Sequence, residues 1–299
     1  MNKINVGVLG PAGTNGHLAL EKFRDRFPDL LGDAEIVFAD AHDSILLSVE
    51  NGIFSAGIVP IANSTSGPVG DVISFWTRYY LQSCRVIAEQ WLNVDHCLAG
   101  FKDRKPIQTI VTRCEAHLQC KSMLNQLALG TDNILADQLV VQYVESTAKA
   151  AKIISEDLAL SNRAVICSEF TAKLYKLDII VPNLNDSPEN MTRFLLVSSA
   201  ESDFIDKQRA RKRKSACVFA LEDKVGALAN VLEIFRLLNI NVTCLHSVSS
   251  GVHGQYKFYL EYETCSKNHD WASVGSLLMI HAQKVQHLGF FNSCDPVRD

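Results

Sequence analysis

Alternation of apolar runs with turn residues sets out the first elements. Ile4-Asn5-Val6-Gly7-Val8-Leu9-Gly10 reads as a buried strand, and Pro11 to Thr14 as a turn feeding a helix with apolar positions at Leu18, Leu20 and Phe23. Glu35 to Ala39 reads as a second strand, Asp43 as the cap of a helix through Val49, and Ala56 to Pro60 as a third strand. Strands alternating with helices predict a parallel sheet covered on both faces. After Gly67 the pattern loosens through Tyr80, and Arg85 to Leu98 looks extended. Thr109 to Thr112 is a short apolar strand, followed by a helix over Glu115 to Leu129. Gln138 to Val144 reads as a strand, Ser146 as the N-cap of a helix through Ile154, and Arg163 to Cys167 as a strand before a helix over Glu169 to Leu174. These two α/β blocks, on either side of residue 80 or so, predict two lobes with a small-molecule cleft between them.

From Ala216 the pattern changes. Ala216 to Glu222 reads as a strand, Ala227 to Leu238 as a helix, and Ile240 to Ser249 as a strand, with a hairpin turn at Gly251 to Gly254. Gln255 to Thr264 returns as a strand, Trp271 to His281 is helical, and Val285 to Phe291 closes a βαββαβ set in the ferredoxin-like order. Before it, Lys207 to Lys214 holds six cations in eight residues without apolar periodicity. Like-charged tracts of this kind are usually solvated, so residues 206–214 read as an exposed basic linker rather than a nuclear-localisation or phosphate-binding tract.

Composition narrows the class. The chain has 299 residues, 47% hydrophobic and 21% charged, which is the profile of a globular protein of about two domains. A formal net charge of -4 gives no reason to expect a nucleic acid or an anionic membrane as partner. No window approaches a membrane span and no signal-peptide pattern opens the sequence. The nine cysteines are scattered and never paired as C-x-x-C, which fits free thiols in a cytoplasmic protein.

Several short patterns invite chemistry. Gly7-x-x-Gly10-x-x-Gly13 follows a strand, but its spacing is not G-x-G-x-x-G, and Pro11 removes an N–H from the turn that should face a pyrophosphate. What remains is Gly13 and Thr14 at a helix N-terminus, a place that favours an anion such as a carboxylate. Cys114-x-x-His117-x-x-Cys120 offers only three soft ligands and reads as a helix face, so no metal is expected. Neither H-E-x-x-H, G-x-S-x-G nor a P-loop is present. Val59 to Gly67 places Asn63 and Ser64 at the end of a parallel strand, where ligands of open α/β sheets bind. Ser146 and Thr147 precede a helix, and Asn190-Met191-Thr192-Arg193-Phe194 enters the strand Leu195-Leu196-Val197.

In this order the segments resemble prephenate dehydratase followed by an ACT domain, over nearly the whole chain. The anchors are Gly10-Pro11-Ala12-Gly13-Thr14, Pro60-Ile61-x-Asn63-Ser64-x-x-Gly67, Gln119-Cys120, Ser146-Thr147-Ala148 and, the most specific, Asn190-x-Thr192-Arg193-Phe194. The resemblance implies a catalytic part over 1–205 with two lobes like those of type-two periplasmic binding proteins, and an ACT regulatory domain over 215–299. It implies conversion of prephenate to phenylpyruvate, carbon dioxide and water without a cofactor, in phenylalanine biosynthesis. By resemblance Thr192 donates to the departing hydroxyl, and Arg193 pairs an anion or braces the site. Thr14, Asn63, Ser64, Ser146 and Thr147 line the cleft for substrate carboxylates and the keto oxygen, and Phe194 packs beside them. In the ACT part, Gly226-Ala227-Leu228 and Asn241 fall on the segments with which such domains bind phenylalanine at the interface of a homodimer or homotetramer.

The chain also departs from the pattern. Ala62 stands where the family has Glu, Asn15-Gly16 where it has an aromatic and Ser, and Thr112-Arg113-Cys114-Glu115-Ala116 where it has Ser-His-Pro-Gln-Ala. His246-Ser247-Val248-Ser249 replaces Glu-Ser-Arg-Pro, which argues against feedback by phenylalanine. The alternatives are a decarboxylase or isomerase acting on prephenate or a related cyclic acid, and a non-catalytic small-molecule sensor.

Overall fold

Val6 and Val8 are fully buried because their strand, β1 (Asn5–Leu9), lies between two parallel neighbours, β2 (Glu35–Ala39) and β3 (Ala56–Asn63). The computed structural model describes residues 4–101, 106–130, 139–156, 162–199, 213–249, 256–264 and 270–292. By contacts the chain forms two compact units, Met1–Leu9 with Ala19–Trp91 and Arg193–Asp299, and Gly10–Leu18 with Leu92–Thr192. The division therefore does not fall near residue 80. Its physical cause is β11 (Met191–Ser198), which returns to the first sheet between β5 (Arg85–Asn93) and β3.

In the first unit the helices are α1 (Asn15–Arg26), which starts in the segment assigned to the second unit, then α2 (Pro28–Leu31), α3 (His42–Glu50) and α4 (Gly70–Tyr79). Asp43 sits in the first turn of α3, whose N-cap is Ala41, so it complements the helix dipole and does not cap. The loosened stretch after Gly67 is the helix α4, preceded by the short β4 (Gly67–Pro68). Its Val72, Ile73, Phe75 and Trp76 make one buried face at helical spacing, which Tyr80 ends in the left-handed region at φ 48°. Gly7 is a packing glycine: a Cβ there would lie 2.4 Å from the Phe54 ring.

The C-terminal part follows the order β12 (Arg213–Leu221), α9 (Ala227–Leu237), β13 (Val242–Ser249), β14 (Tyr256–Glu263), α10 (Trp271–His281), β15 (Gln283–Asn292). Its strands run β13-β14-β12-β15 and continue through β5 into the sheet of β11, β3, β1 and β2. Period-two alternation along β12 explains how it is held. Cys217, Phe219 and Leu221 share a core with Val231, Phe235 and Leu278 of α9 and α10, while Ala216 and Val218 join Ile45, Trp76 and Val197 on the opposite face. Trp76 stacks on Tyr259 with ring centroids 6.1 Å apart. Lys214, read from the sequence as linker, is the second residue of β12 and is buried. Residues 207–212 and the expected turn at 251–254 lie outside the described residues.

Within this part His287 accepts or donates at 2.9 Å with Ser215 Oγ and stacks on Trp271 at 4.5 Å. Burial first, and Arg85 second, bring its pKa down to about 4. Between about pH 4 and its ordinary 6.5 the unfolded chain binds the proton and the folded chain does not, so stability is present above 6.5 and is lost as pH falls toward 4. The expected cost is roughly 2–3 kcal/mol, read from urea midpoints between pH 7 and 4.5. His287→Gln should flatten that slope, and an unchanged slope contradicts the assignment.

The second unit holds a sheet in the order β10 (Asp178–Val181), β6 (Cys97–Gly100), β9 (Arg163–Cys167), β7 (Thr109–Thr112), β8 (Val140–Tyr143). β7 is parallel to both β8 and β9, and β6 is antiparallel to β9 and β10. Alternation along β9 again serves two cores. Ala164 and Ile166 pack with Ala116, Cys120 and Leu124 near α5 (Cys114–Leu118) and α6 (Lys121–Gly130). Val165 and Cys167 pack with Ala150, Ala151 and Ile154 of α7 (Thr147–Glu156) and Ala172 of α8 (Glu169–Leu174). The single helix expected over 115–129 breaks at Gln119-Cys120. Among the described residues no helix is long and apolar enough to cross a membrane.

Candidate functional site

The Gly-Pro-Ala-Gly-Thr turn is fastened to α8. Ser168 caps that helix by accepting from the Thr171 N–H at 3.2 Å, and Thr171 Oγ1 donates to the Gly13 carbonyl at 2.6 Å. Because that proton is spent on Gly13, Ser168 is the donor in the 2.7 Å contact between the two hydroxyls. Tyr175 donates to the Ala12 carbonyl at 2.8 Å. Gly13 holds φ +92°, and a Cβ there would press on Thr171 and Tyr175 at 3.2 Å. Its N–H donates to His17 Nδ1 at 3.0 Å, and Thr14 Oγ1 accepts from the His17 N–H at 3.3 Å. The turn thus satisfies part of its own N–H array, and the Gly13 amide offered to an anion by the sequence is spent on His17. Thr171→Val should cost about 1–2 kcal/mol by leaving the buried Gly13 carbonyl without this donor, measured by urea unfolding. No loss of stability would show the contact to be idle.

Ser146 stands at the N-terminus of α7, where its Oγ accepts from the Lys149 N–H at 3.0 Å, and Thr147 is the first helical residue. Next to them is a pocket of about 510 Å³ lined by Arg113, Cys114, Glu115, Tyr143, Glu145 and Lys149. It lies at the C-terminal ends of the parallel strands β7 and β8, the usual ligand position of such sheets. Both of its cations are paired, Arg113 with Glu115 at 2.7 Å and Lys149 with Glu145 at 2.6 Å. The Arg113 hydrogen bonds hold the Glu115 carboxyl below its ordinary range. His117 meets the Tyr143 hydroxyl at 2.8 Å, and burial pushes the Cys120 thiol up to about 12.

Thr192 is half-buried near the start of β11, the last residue of the second unit, and Arg193 and Phe194 follow as buried residues of the first. The Arg193 guanidinium forks onto Glu261 at 2.9 and 2.8 Å, and its Nε donates to Glu89 at 2.6 Å. Lys214 Nζ donates to the other Glu89 oxygen at 3.1 Å, and the Tyr259 hydroxyl donates to Glu261. Burial acts to lower the Arg193 pKa, but Glu261 and Glu89 raise it above its ordinary value. Of the two roles expected for Arg193, pairing an anion or bracing, its partners here are carboxylates of the protein itself.

The remaining sequence-derived residues lie in the first unit. Asn63 Oδ1 accepts from the N–H groups of Thr65 and Ser66 at 2.9 and 2.8 Å, a side-chain-closed turn, and Ser64 is exposed. Gly226 holds φ +80° as the N-cap of α9, Ala227 and Leu228 are half-buried, and Asn241 is exposed ahead of β13. Ala227 lines a separate pocket of about 480 Å³ with Val225, Asn230, Met279 and Ile280. The structure therefore gathers Thr14, Ser146, Thr147 and Thr192 in one unit, and Asn63, Ser64, Arg193, Phe194, Gly226, Ala227, Leu228 and Asn241 in the other. Ser168, Thr171 and Tyr175, and the pair Glu89 and Glu261, were not among the expected site residues. Ser168 before Glu169 is a legible cap, and Glu89 is legible as a charge inside the apolar run of β5.

A family model described as prephenate dehydratase matches residues 6–202. A prephenate dehydratase of Methanocaldococcus jannaschii is 32% identical over 265 residues, covering 88% of this chain and 89% of that one. A bifunctional chorismate mutase/prephenate dehydratase of Escherichia coli is 28% identical over 274 residues, and the chain spans 65% of its length. The solved prephenate dehydratase of Arthrobacter aurescens, in complex with L-Phe, superposes with a TM-score of 0.81 at 24% identity, over 97% of this chain and 90% of that one. A protein described as a novel type of quorum quenching acylase, GqqA, superposes with a TM-score of 0.79 at 20% identity, over 99% and 100%. Two solved proteins with differently named activities share this fold, so the fold alone does not select a reaction.

Proposed function

The chain belongs to the prephenate dehydratase family, and from that premise we propose that it converts prephenate to phenylpyruvate, carbon dioxide and water, without a cofactor, as a step of phenylalanine biosynthesis. The ring carboxylate leaves as carbon dioxide, its electron pair enters the ring, and the ring C–O bond breaks to release hydroxide, which takes a proton to become water. Aromatisation drives the step, and the charge that grows on the departing oxygen is what the protein must stabilise. Thr192 donates a hydrogen bond to that oxygen. A neutral threonine is a weak acid, so its contribution is a preorganised donor and not a full proton transfer.

The observation that carries this reading is the retained Asn190-x-Thr192-Arg193-Phe194 segment, in which Arg193 and Phe194 are locked into the strand interior and Thr192 is half-buried beside them. Thr14, Asn63, Ser64, Ser146 and Thr147 are hydroxyl and amide groups suited to the two carboxylates and the keto oxygen, and Phe194 serves by packing. A carboxylate entering the pocket beside Ser146 meets Arg113 and Lys149 already paired with Glu115 and Glu145. The altered residues Asn15-Gly16, Ala62 and Arg113-Cys114-Glu115 favour a second reading, a decarboxylase that leaves the ring non-aromatic. That reaction has no departing hydroxyl for Thr192 to serve.

Residues 1–205 are the catalytic part in this reading, with the two-lobed architecture of periplasmic binding proteins, and 215–299 an ACT regulatory domain. The family match ending at residue 202 and the βαββαβ order support it. Exposed Val225, Met279 and Ile280 support self-association through that domain as a homodimer or homotetramer, and seven free cysteines among the described residues fit a cytoplasmic location. The test is direct: incubating the pure protein with prephenate should produce phenylpyruvate at a rate proportional to protein. Intact, folded protein that yields none contradicts the assignment.

A further inference from the structure

We infer that Glu261, contributed by β14 of the C-terminal part, is a positioning residue for the reaction: it clamps Arg193 and so fixes the backbone from which Thr192 presents its hydroxyl. The inference rests on the role of Thr192 given above. Arg193 is the next residue along β11, and successive side chains of a strand leave opposite faces, so immobilising one sets the direction of the other. The immobilisation is unusually complete. Three guanidinium nitrogens engage two carboxylates on two different strands, and each carboxylate is itself oriented, Glu261 by Tyr259 and Glu89 by Lys214. The rings of Trp91 and Phe291 flank the guanidinium at 6.0 and 5.9 Å. Four charged side chains, two of each sign, are thereby buried.

Stability alone does not account for such a cluster. Buried ion pairs of this kind are often no better than well-packed apolar residues of equal volume, whereas a fork of fixed length and direction defines a position that apolar packing does not. The C-terminal part supplies Lys214, Tyr259, Glu261 and Phe291, so the residue following Thr192 is oriented mainly by groups that lie beyond the matched 6–202 segment. Glu261 lies opposite Cys244 of β13, one strand from the sheet edge.

The experiment compares full-length wild type, Glu261→Gln, Tyr259→Phe and Thr192→Ala, measuring kcat and KM for phenylpyruvate formation and the thermal midpoint of each. Glu261→Gln keeps the shape and removes the charge, and kcat is expected to fall at least tenfold with KM changed less than threefold. Tyr259→Phe keeps the stack on Trp76 and removes only the hydroxyl that aims Glu261. It should lower kcat about threefold in the same pattern, which keeps the test decisive should Glu261→Gln fail to fold. A lowered midpoint with kcat per folded molecule unchanged in either folded variant overturns the inference, because a purely structural cluster behaves that way. Should Thr192→Ala itself retain wild-type turnover, the role of Thr192 fails, and Glu261 has nothing to position.

Discussion

Thr192→Ala is expected to lower kcat for phenylpyruvate formation by about a hundredfold or more while KM stays within about threefold. A single preorganised donor aimed at an oxygen that gains charge only in the transition state contributes roughly 3 kcal/mol, and each 1.36 kcal/mol is tenfold in rate. The ground state gains little from the same donor, so binding is spared. The fold should survive, because Thr192 is half-buried at the start of its strand and its neighbours Arg193 and Phe194 supply the buried contacts there. Thr192→Ser restores the donor and should recover most of the rate. Matching kinetics in wild type and Thr192→Ala would remove the residue from the mechanism.

Arg193→Ala should have the largest effect on stability, a loss of about 3–5 kcal/mol read by urea unfolding, because it takes the guanidinium away from two buried carboxylates, Glu89 and Glu261. The cause is the uncompensated charge and not the lost contact, and this can be separated. Arg193→Met combined with Glu89→Gln and Glu261→Gln removes the stranded charges and should recover more than half of the loss. A triple variant as unstable as Arg193→Ala would place the cost in packing.

Local patterns made most of the architecture legible. The buried run of β1, the alternation along β9 and β12, and the βαββαβ order could all be read because burial of one face imposes a period on neighbouring residues. Helix α4 escapes because no side-chain cap opens it and a non-glycine, the left-handed Tyr80, closes it, although Asp71 and Arg78 stand in its first and last turns. Lys214 reads as linker for a different reason. A charge run reads as solvated unless a partner far away in sequence takes one of its members, and Glu89 is 125 residues distant. The division near residue 80 failed likewise, since the return of β11 between β5 and β3 is a long-range pairing.

The candidate site shows the same limit. Thr14, Ser146 and Thr192 sit in recognisable segments, whereas the bonds that hold the first turn, from Thr171 to Gly13 and Tyr175 to Ala12, span about 160 residues and have no local signature. The sequence allows Arg193 to be an anion partner or a brace, and its contacts with Glu89 and Glu261 favour the brace.

The central claim is that departure of a hydroxyl accompanies decarboxylation. Its most direct test is the ratio of carbon dioxide released to phenylpyruvate formed from prephenate. One-to-one release, with carbon dioxide and phenylpyruvate slowed together in Thr192→Ala, is the predicted result. Carbon dioxide evolved without phenylpyruvate, leaving a non-aromatic product, contradicts it.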